Sequence, residues 1–342
     1  MVRYWTIIFS FLIAFSFTKA EAKNPPPGTG TTDIPANILI MLDNSGSMSA
    51  RLAGAVQIHY PVDVNVDRFG NIYVLEYWNN RIKKFDSSGN YIKAFGGPGS
   101  NCSQWRNARQ FDIDGDLIYI SDTNNSRFVT LSLDGACRTT RHNSLLRSYP
   151  TAMAVGGGWA WASGGPRSVE MIASHYKPSM YPNPGRNAYN NEGAGNSFIW
   201  GMSWNRSGTR IAYANYSKNQ VRIAYRSGHQ LVAQNSPYAS NRVRNCSANR
   251  PTDTAWDSAG NVYYTSVGTH SVYKINPDTC SESKLVGSWS TSSGFRYPYG
   301  IEIDSADNIY VTDYYNFTVR KYNTSGSETL SVGGSNTRLE AA

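Results

Sequence analysis

The sequence predicts an all-β fold. Three observations predict it. The 342 residues include 30 Gly and 23 Tyr, turn formers and strand formers respectively; only 16% are charged; and one strand-rich pattern returns along the chain. Low charge with 13% aromatic residues argues against a helical bundle, a coiled coil or a disordered chain. The length exceeds one average domain, so one large unit with an appendage is expected.

The elements follow in chain order. Residues 1–22 have the form of a signal peptide: Arg3 precedes an apolar run over residues 4–17, and Ala20, Glu21 and Ala22 supply a small-x-small cleavage site. The run is shorter than the roughly 20 residues a bilayer span needs, and no later segment could span one. The mature chain is therefore expected to be secreted, periplasmic or on the cell surface. Disulfides are permitted there, and nucleotide cofactors and nucleic acid are not expected partners. Residues 23–36, rich in Pro, Gly and Thr, form a linker.

Residues 37–42 are an unbroken apolar run, which suits a strand buried on both faces of a parallel sheet. Asp43, Ser45 and Ser47 follow in an Asp-x-Ser-x-Ser pattern. This run and loop, over residues 37–50, resemble the first strand and metal loop of a von Willebrand factor A domain. The resemblance implies that Ser45 and Ser47 coordinate Mg²⁺ directly while Asp43 orders a metal-bound water. Hard oxygen ligands suit that ion. The stretch starting at Pro35 also resembles secreted bacterial A-domain proteins, including pilus-tip adhesins.

The repeat begins next. Residues 60–96 and 297–333 share a Tyr-Pro start, an Asp before a turn and an Asn-Ile-Tyr-Val strand. Weaker copies occupy 102–140, 149–174, 196–236 and 249–287, six units in all. Each good copy holds four short β-forming stretches separated by turn signals, a four-stranded meander. Such sheets bury both faces only by packing radially against one another, as a β-propeller does. The chain here resembles the NHL-repeat family of six-bladed propellers. The resemblance rests on Pro61, Asp67, Gly70, Asn71, Ile72, Tyr73, Val74, Asn79, Asn80, Arg81, Ile82 and Phe85. Their counterparts are Asp304, Asn308, Ile309, Tyr310, Val311, Val319, Arg320, Lys321 and Tyr322. The expected fold is a six-bladed β-propeller of four-stranded antiparallel blades over residues 55–334, preceded by one strand and metal loop of an incomplete α/β domain.

Asp67, Asp257 and Asp304 each stand just before a turn, where Asp bonds the turn backbone. Four cysteines allow three pairings. Cys102 and Cys137 fall in the second unit and Cys246 and Cys280 in the fifth, and these units stand opposite each other in the ring, beyond disulfide reach. Pairing within each unit is expected, provided that the loop over residues 96–108 crosses the blade edge; otherwise the thiols are free. At the C-terminus, Thr337 and Glu340 form a capping box, so residues 335–342 start a resumed A-domain helix or end as a tail. The first alternative makes the propeller an insertion and the chain an N-terminal fragment, since the later A-domain segments are missing.

Three functions compete. No His set is placed for zinc and no nucleophile elbow is present. Asp63, Asp253 and Glu302 on innermost strands of contiguous blades could hold Ca²⁺ in the channel, as in lactonase-like propellers that hydrolyse esters. Between Arg138 and Arg250, twelve Arg and two Lys face only Glu170 and Glu192, a net of +12 within a total of +8. Arg167, Lys177, Arg186 and Arg206, interleaved with Trp159, Trp161 and Tyr181, would form a surface for an anionic ligand. The leading expectation is an exported, non-catalytic adhesion or ligand-binding protein that presents propeller loops to a protein or an acidic glycan. The Ca²⁺-dependent hydrolase and a polyanion-binding module are the alternatives.

Overall fold

A computed structural model describes residues 56–142, 149–156, 159–163, 171–176, 189–190, 198–227, 230–232, 244–288 and 294–334. The signal peptide, the linker, the Asp43-Ser45-Ser47 loop and the C-terminal capping box lie outside the described residues. Apart from one short 3-10 turn at Thr123–Asn125, the regular structure described is all β. No helix among these residues is long and apolar enough to cross a membrane.

The first sheet is β1 (Pro61–Val66), β2 (Ile72–Glu76), β3 (Arg81–Phe85) and β4 (Tyr91–Gly96). The second is β5 (Phe111–Asp114), β6 (Leu117–Asp122), β7 (Arg127–Ser132) and β8 (Cys137–His142). The third is β9 (Met153–Gly156), β10 (Trp159–Ser163), β11 (Met171–Tyr176) and β12 (Tyr189–Asn190). In the fourth, β13 (Ile199–Trp204), β14 (Arg210–Asn215) and β15 (Gln220–Ser227) are joined by β16 (Gln230–Val232) and β17 (Arg244–Ser247), both paired to β15. The fifth is β18 (Pro251–Trp256), β19 (Val262–Ser266), β20 (Ser271–Ile275) and β21 (Glu282–Gly287). The last is β22 (Pro298–Ile303), β23 (Ile309–Asp313), β24 (Thr318–Tyr322) and β25 (Glu328–Gly333).

The fold is an all-β propeller of four-stranded antiparallel blades. The expectation of a six-bladed propeller of four-stranded blades is corrected: five sheets have that form, and the sheet β13–β17 has five strands because β15 is long enough to pair with two outer partners. The innermost strands β1, β5, β9, β13, β18 and β22 touch in a closed circuit, with β22 against β1.

Radial packing explains why the second strands are apolar without alternation. All of β2 is buried. Successive side chains point to opposite faces, so Ile72 and Val74 pack against Tyr310, Val319 and Val332 of the last sheet, whereas Tyr73 and Leu75 pack against Phe111, Ile118 and Val129 of the second. The same two-sided burial recurs at β19, where Tyr263 meets Ile301 and Ile309 while Tyr264 meets Ala212 and Val221. Truncating one such residue, Leu75→Ala for example, costs about 2–5 kcal/mol by the usual cavity penalty.

Both disulfides form: Cys102–Cys137 with 5.7 Å between Cα atoms and Cys246–Cys280 with 5.2 Å. The loop carrying Cys102 crosses the sheet edge because it is anchored there. Trp105 on it is fully buried, and Arg127 donates to the carbonyls of Ser100, Asn101 and Gln104. The second bond differs in placement from the expectation. Cys246 lies on β17 and Cys280 between β20 and β21, so this disulfide ties two neighbouring sheets rather than closing one.

Candidate functional site at the aromatic end of the ring

In an antiparallel meander the innermost strands all begin at one end of the ring. The connections between second and third strands, and those between consecutive sheets, return to that end. The other connections lie at the opposite, turn end. Four entrances to innermost strands share an unusual backbone: Tyr60, Tyr149, Arg250 and Tyr297 precede proline with φ of 48°, 58°, 43° and 62°. Bulky residues seldom adopt this left-handed region. At Tyr297 the conformation is fixed by a hydrogen bond from its amide to His270 Nδ1 at 3.1 Å.

A β-bulge follows at the start of four innermost strands. Val62, Trp200 and Thr252 are the extra residues in β1, β13 and β18, and Tyr299 and Gly300 together oppose Thr312 in β22. A bulge re-aims a side chain. Here it brings Trp200 and Tyr299, from different sheets, into a parallel pair with ring centroids 5.6 Å apart. Tyr216 stacks on Trp200 at 4.3 Å. Arg109 lies 5.1 Å from the Trp200 ring centroid and 5.2 Å from that of Tyr77, and no carboxylate among the described residues pairs with it. Burial, partly offset by Arg109, pushes the Tyr299 hydroxyl up to about 12, so it stays protonated.

The aromatic surface continues over the junction of the first and last sheets. Tyr314 sits 5.0 Å from Tyr299, 5.1 Å from Tyr60 and 4.8 Å from Tyr315, and its hydroxyl accepts from Trp78 Nε1 at 3.0 Å. Trp78 is 58% exposed and Tyr315 42%. Behind the surface stand three buried carboxylates at the ends of second strands, each neutralised locally. Glu76 is held by Arg81, by Lys83 at 3.0 Å and by the His59 amide at 2.8 Å. Asp122 holds Arg127 at 2.6 Å and the Arg106 amide at 2.8 Å. Asp313 holds the Arg296 amide at 2.7 Å and Asn316 at 2.7 Å. Burial raises the Glu76 carboxyl, but the Arg81 guanidinium and Lys83 ammonium outweigh it and hold it below its ordinary value.

Below the aromatic rings the axis is bridged by Gln110. Its oxygen accepts from the amides of Met153 and Met202, and its nitrogen donates to the Met202 carbonyl and to Asp253. A cavity of about 290 Å³ follows, lined in part by Asp63, Asp112, Asp253 and Glu302. Asp63 accepts from the Val64 and Phe111 amides, Asp112 from Ile113 and Val155, and Asp253 from Thr254 and Ile301. Each carboxylate therefore stitches its own innermost strand to the next one. Glycine is required opposite two of them: a Cβ on Gly201 would lie 2.0 Å from Asp253 Oδ1, and one on Gly300 would lie 2.6 Å from the Asp63 Cα. Burial raises the Asp63, Asp253 and Glu302 carboxyls well above their ordinary values and pushes Asp112 to about 7.

These contacts describe the Ca²⁺ set expected from the sequence. Asp63 and Asp253 each accept a backbone amide on both oxygens, and Glu302 occupies a different position along its strand. Among the described residues no group of three His, Cys, Asp or Glu is placed to hold a metal. Of the expected anion surface, Arg167, Lys177, Tyr181 and Arg186 lie outside the described residues, and Trp159 and Trp161 are placed only as members of β10. Arg206 lies at the turn end, where it donates to Asp307 and to the Asp304 carbonyl, both at 2.7 Å. Sequence reasoning missed Tyr60, Tyr77, Trp78, Arg109, Tyr299 and Tyr314. A signal was present only for Tyr60, in the tyrosine that recurs before the innermost proline at Tyr149 and Tyr297.

Comparison with known proteins agrees with this fold. Residues 295–322 match the NHL repeat model. The chain matches none of the curated proteins. Among solved structures it is similar to a protein of unknown function from Bacteroides thetaiotaomicron (11% identity, TM-score 0.60, 78% of this chain and 70% of that one). It is also similar to an auxiliary nutrient binding protein from the same organism (11%, 0.59, 78% and 69%) and to a streptogramin B lyase (12%, 0.56, 82% and 85%). Identities this low speak for the fold alone. The chain is thus a β-propeller that carries an NHL repeat in its last blade.

Proposed function

We propose that this chain is an exported, non-catalytic ligand-binding propeller, with the sheet β13–β17 completing the ring as a sixth blade, and that its ligand lies across the aromatic end. One observation carries the reading: bulges in two separate sheets aim Trp200 and Tyr299 together beside Arg109. Backbone in a disfavoured region at a ring entrance is the kind of local cost that accompanies binding sites. Two disulfides suit an oxidising compartment. A solved structure of similar fold is described as a nutrient binding protein, which is compatible with this use of the scaffold. In the same reading, Asp43, Ser45 and Ser47 bind Mg²⁺ once an A domain is completed around them.

The test is calorimetric titration with a small panel of soluble polysaccharides, dextran, xylan and polygalacturonate, on the wild type and on Trp78→Ala. Saturable binding of at least one polymer that weakens in the variant at unchanged melting temperature is expected. Binding that is indifferent to Trp78→Ala and to Tyr315→Ala would place the site elsewhere.

A further inference from the structure

The described connections at the aromatic end carry Arg106, Arg109, Lys218, Arg250 and Arg296, and no Asp or Glu. The nearest acids, Glu76, Asp122 and Asp313, are fully buried behind them and each has its own cation, Arg81 and Lys83, Arg127, or Arg320. The end therefore presents net positive charge: no salt bridge among the described residues pairs any of these five cations, and only Arg296 feels a nearby carboxylate, that of Asp313. Among the described residues, the large apolar side chains exposed there, Trp78, Tyr149 and Tyr315, are all aromatic and none is aliphatic. Rings with polar edges, set among Asn and Ser side chains, match the C–H faces and hydroxyls of sugars. An Arg held between rings offers planar donors for a carboxylate.

From this we infer that the aromatic end takes a carboxylate-bearing polysaccharide, a chain of uronate type, with Trp78 and Tyr315 as stacking platforms and Arg109 and Arg296 as the groups that select the acid. Arg296 is already positioned, its guanidinium 5.9 Å from the Tyr315 ring centroid and its amide fixed on Asp313. The inference rests on the reading of this end as the ligand site and adds the ligand's charge to it.

Polygalacturonate and its fully methyl-esterified form share a backbone and differ in charge, so calorimetry with both isolates the claim. The acid form should bind at least about tenfold more tightly, and its affinity should fall as salt rises from about 0.05 to about 0.5 M. Arg109→Gln and Arg296→Gln should each abolish most of the preference for the acid form, by about tenfold, weakening binding of the acid far more than that of the ester. Because Arg109 packs between rings, the melting temperature is measured alongside, and Arg296→Gln decides the question if Arg109→Gln unfolds. Equal binding of the two forms, with loss in Trp78→Ala, would overturn the acidic class while leaving the ligand site in place. Binding of neither form, or of a single-stranded oligonucleotide in preference to both, would also overturn it.

Discussion

The two ends of the ring are built from the same repeat and differ in almost every chemical respect. At the aromatic end the described connections hold five cations, no acids and a run of tyrosines and tryptophans. At the turn end, Asp67, Asp86, Asp116, Asp134, Asp257, Asp278, Asp304 and Asp307 stand against Arg68 and Arg206. The acids of the turn end serve the backbone. Asp67 accepts from the amides of Phe69 and Asn71 and from the Tyr73 hydroxyl, and Asp304 repeats this with Ala306, Asn308 and Tyr310. Asp67, Asp86, Asp134, Asp257 and Asp304 are thus consumed in making hairpins, while Asp116, Asp278 and Asp307 pair with Arg68, Arg210 and Arg206. The cations at the other end have no such duty, which leaves charge and flat rings available for a ligand.

Breaking the carboxylate behind the aromatic surface should have the largest effect. Glu76→Ala would strand the buried Lys83 without its counterion, and a loss of about 3–5 kcal/mol in denaturant unfolding is expected. Replacing both Glu76 and Lys83 by apolar residues of similar volume should recover much of it. A loss under about 1 kcal/mol for Glu76→Ala would show that Lys83 finds water instead.

The channel acids give an opposite dependence on pH. The folded value of Asp112, about 7, lies above its ordinary one, so this group charges in the unfolded chain first and stability falls as pH rises through that interval. Melting temperature should therefore climb as pH drops from about 8 to about 5, and Asp112→Asn should flatten the climb. The Glu76 carboxyl, held low, acts the other way and loses its contribution only in stronger acid. A melting temperature that falls steadily from pH 8 to 5 would contradict the raised value at Asp112.

The smallest effect is expected at the turn end. Asp307 has φ of 61° where three other turns place Gly70, Gly208 and Gly260, and it links the turns of three sheets through Arg206 and Ser258. Asp307→Gly relieves the backbone and removes the ion pair, so unfolding free energy should change by less than about 1 kcal/mol. A drop of several kcal/mol would mean that this tie holds the ring shut.

How much of this was legible depended on whether a repeat position carried one chemistry or two. Strand and turn positions carried one: Asp67 with Gly70 and Asn71, or Ile72 to Val74, announce a hairpin and a doubly buried strand, and the cysteine pairs followed from the order of the sheets. The edge of the fourth sheet did not, because only the observed pairing of β17 with β15 reveals that Cys246 belongs there. The ligand-facing residues were obscured for a different reason. The bulge position holds Val62, Thr252, Trp200 and Tyr299 in different copies, so no repeat marks it, and only the closure of the ring brings Arg109 and Tyr77 beside Trp200. Net charge along the chain pointed to residues 138–250, many of which lie outside the described residues, whereas the described residues sort charge by end of the ring, a direction perpendicular to sequence order.

Oxidative footprinting with and without polygalacturonate would compare the two ends in a single sample. Trp78 and Tyr315 report on the aromatic end, and Phe69, 65% exposed, reports on the turn end. Saturating polymer should protect Trp78 and Tyr315 and leave Phe69 as reactive as before. Protection of Phe69 with Trp78 and Tyr315 unchanged would contradict the assignment of the aromatic end as the ligand site.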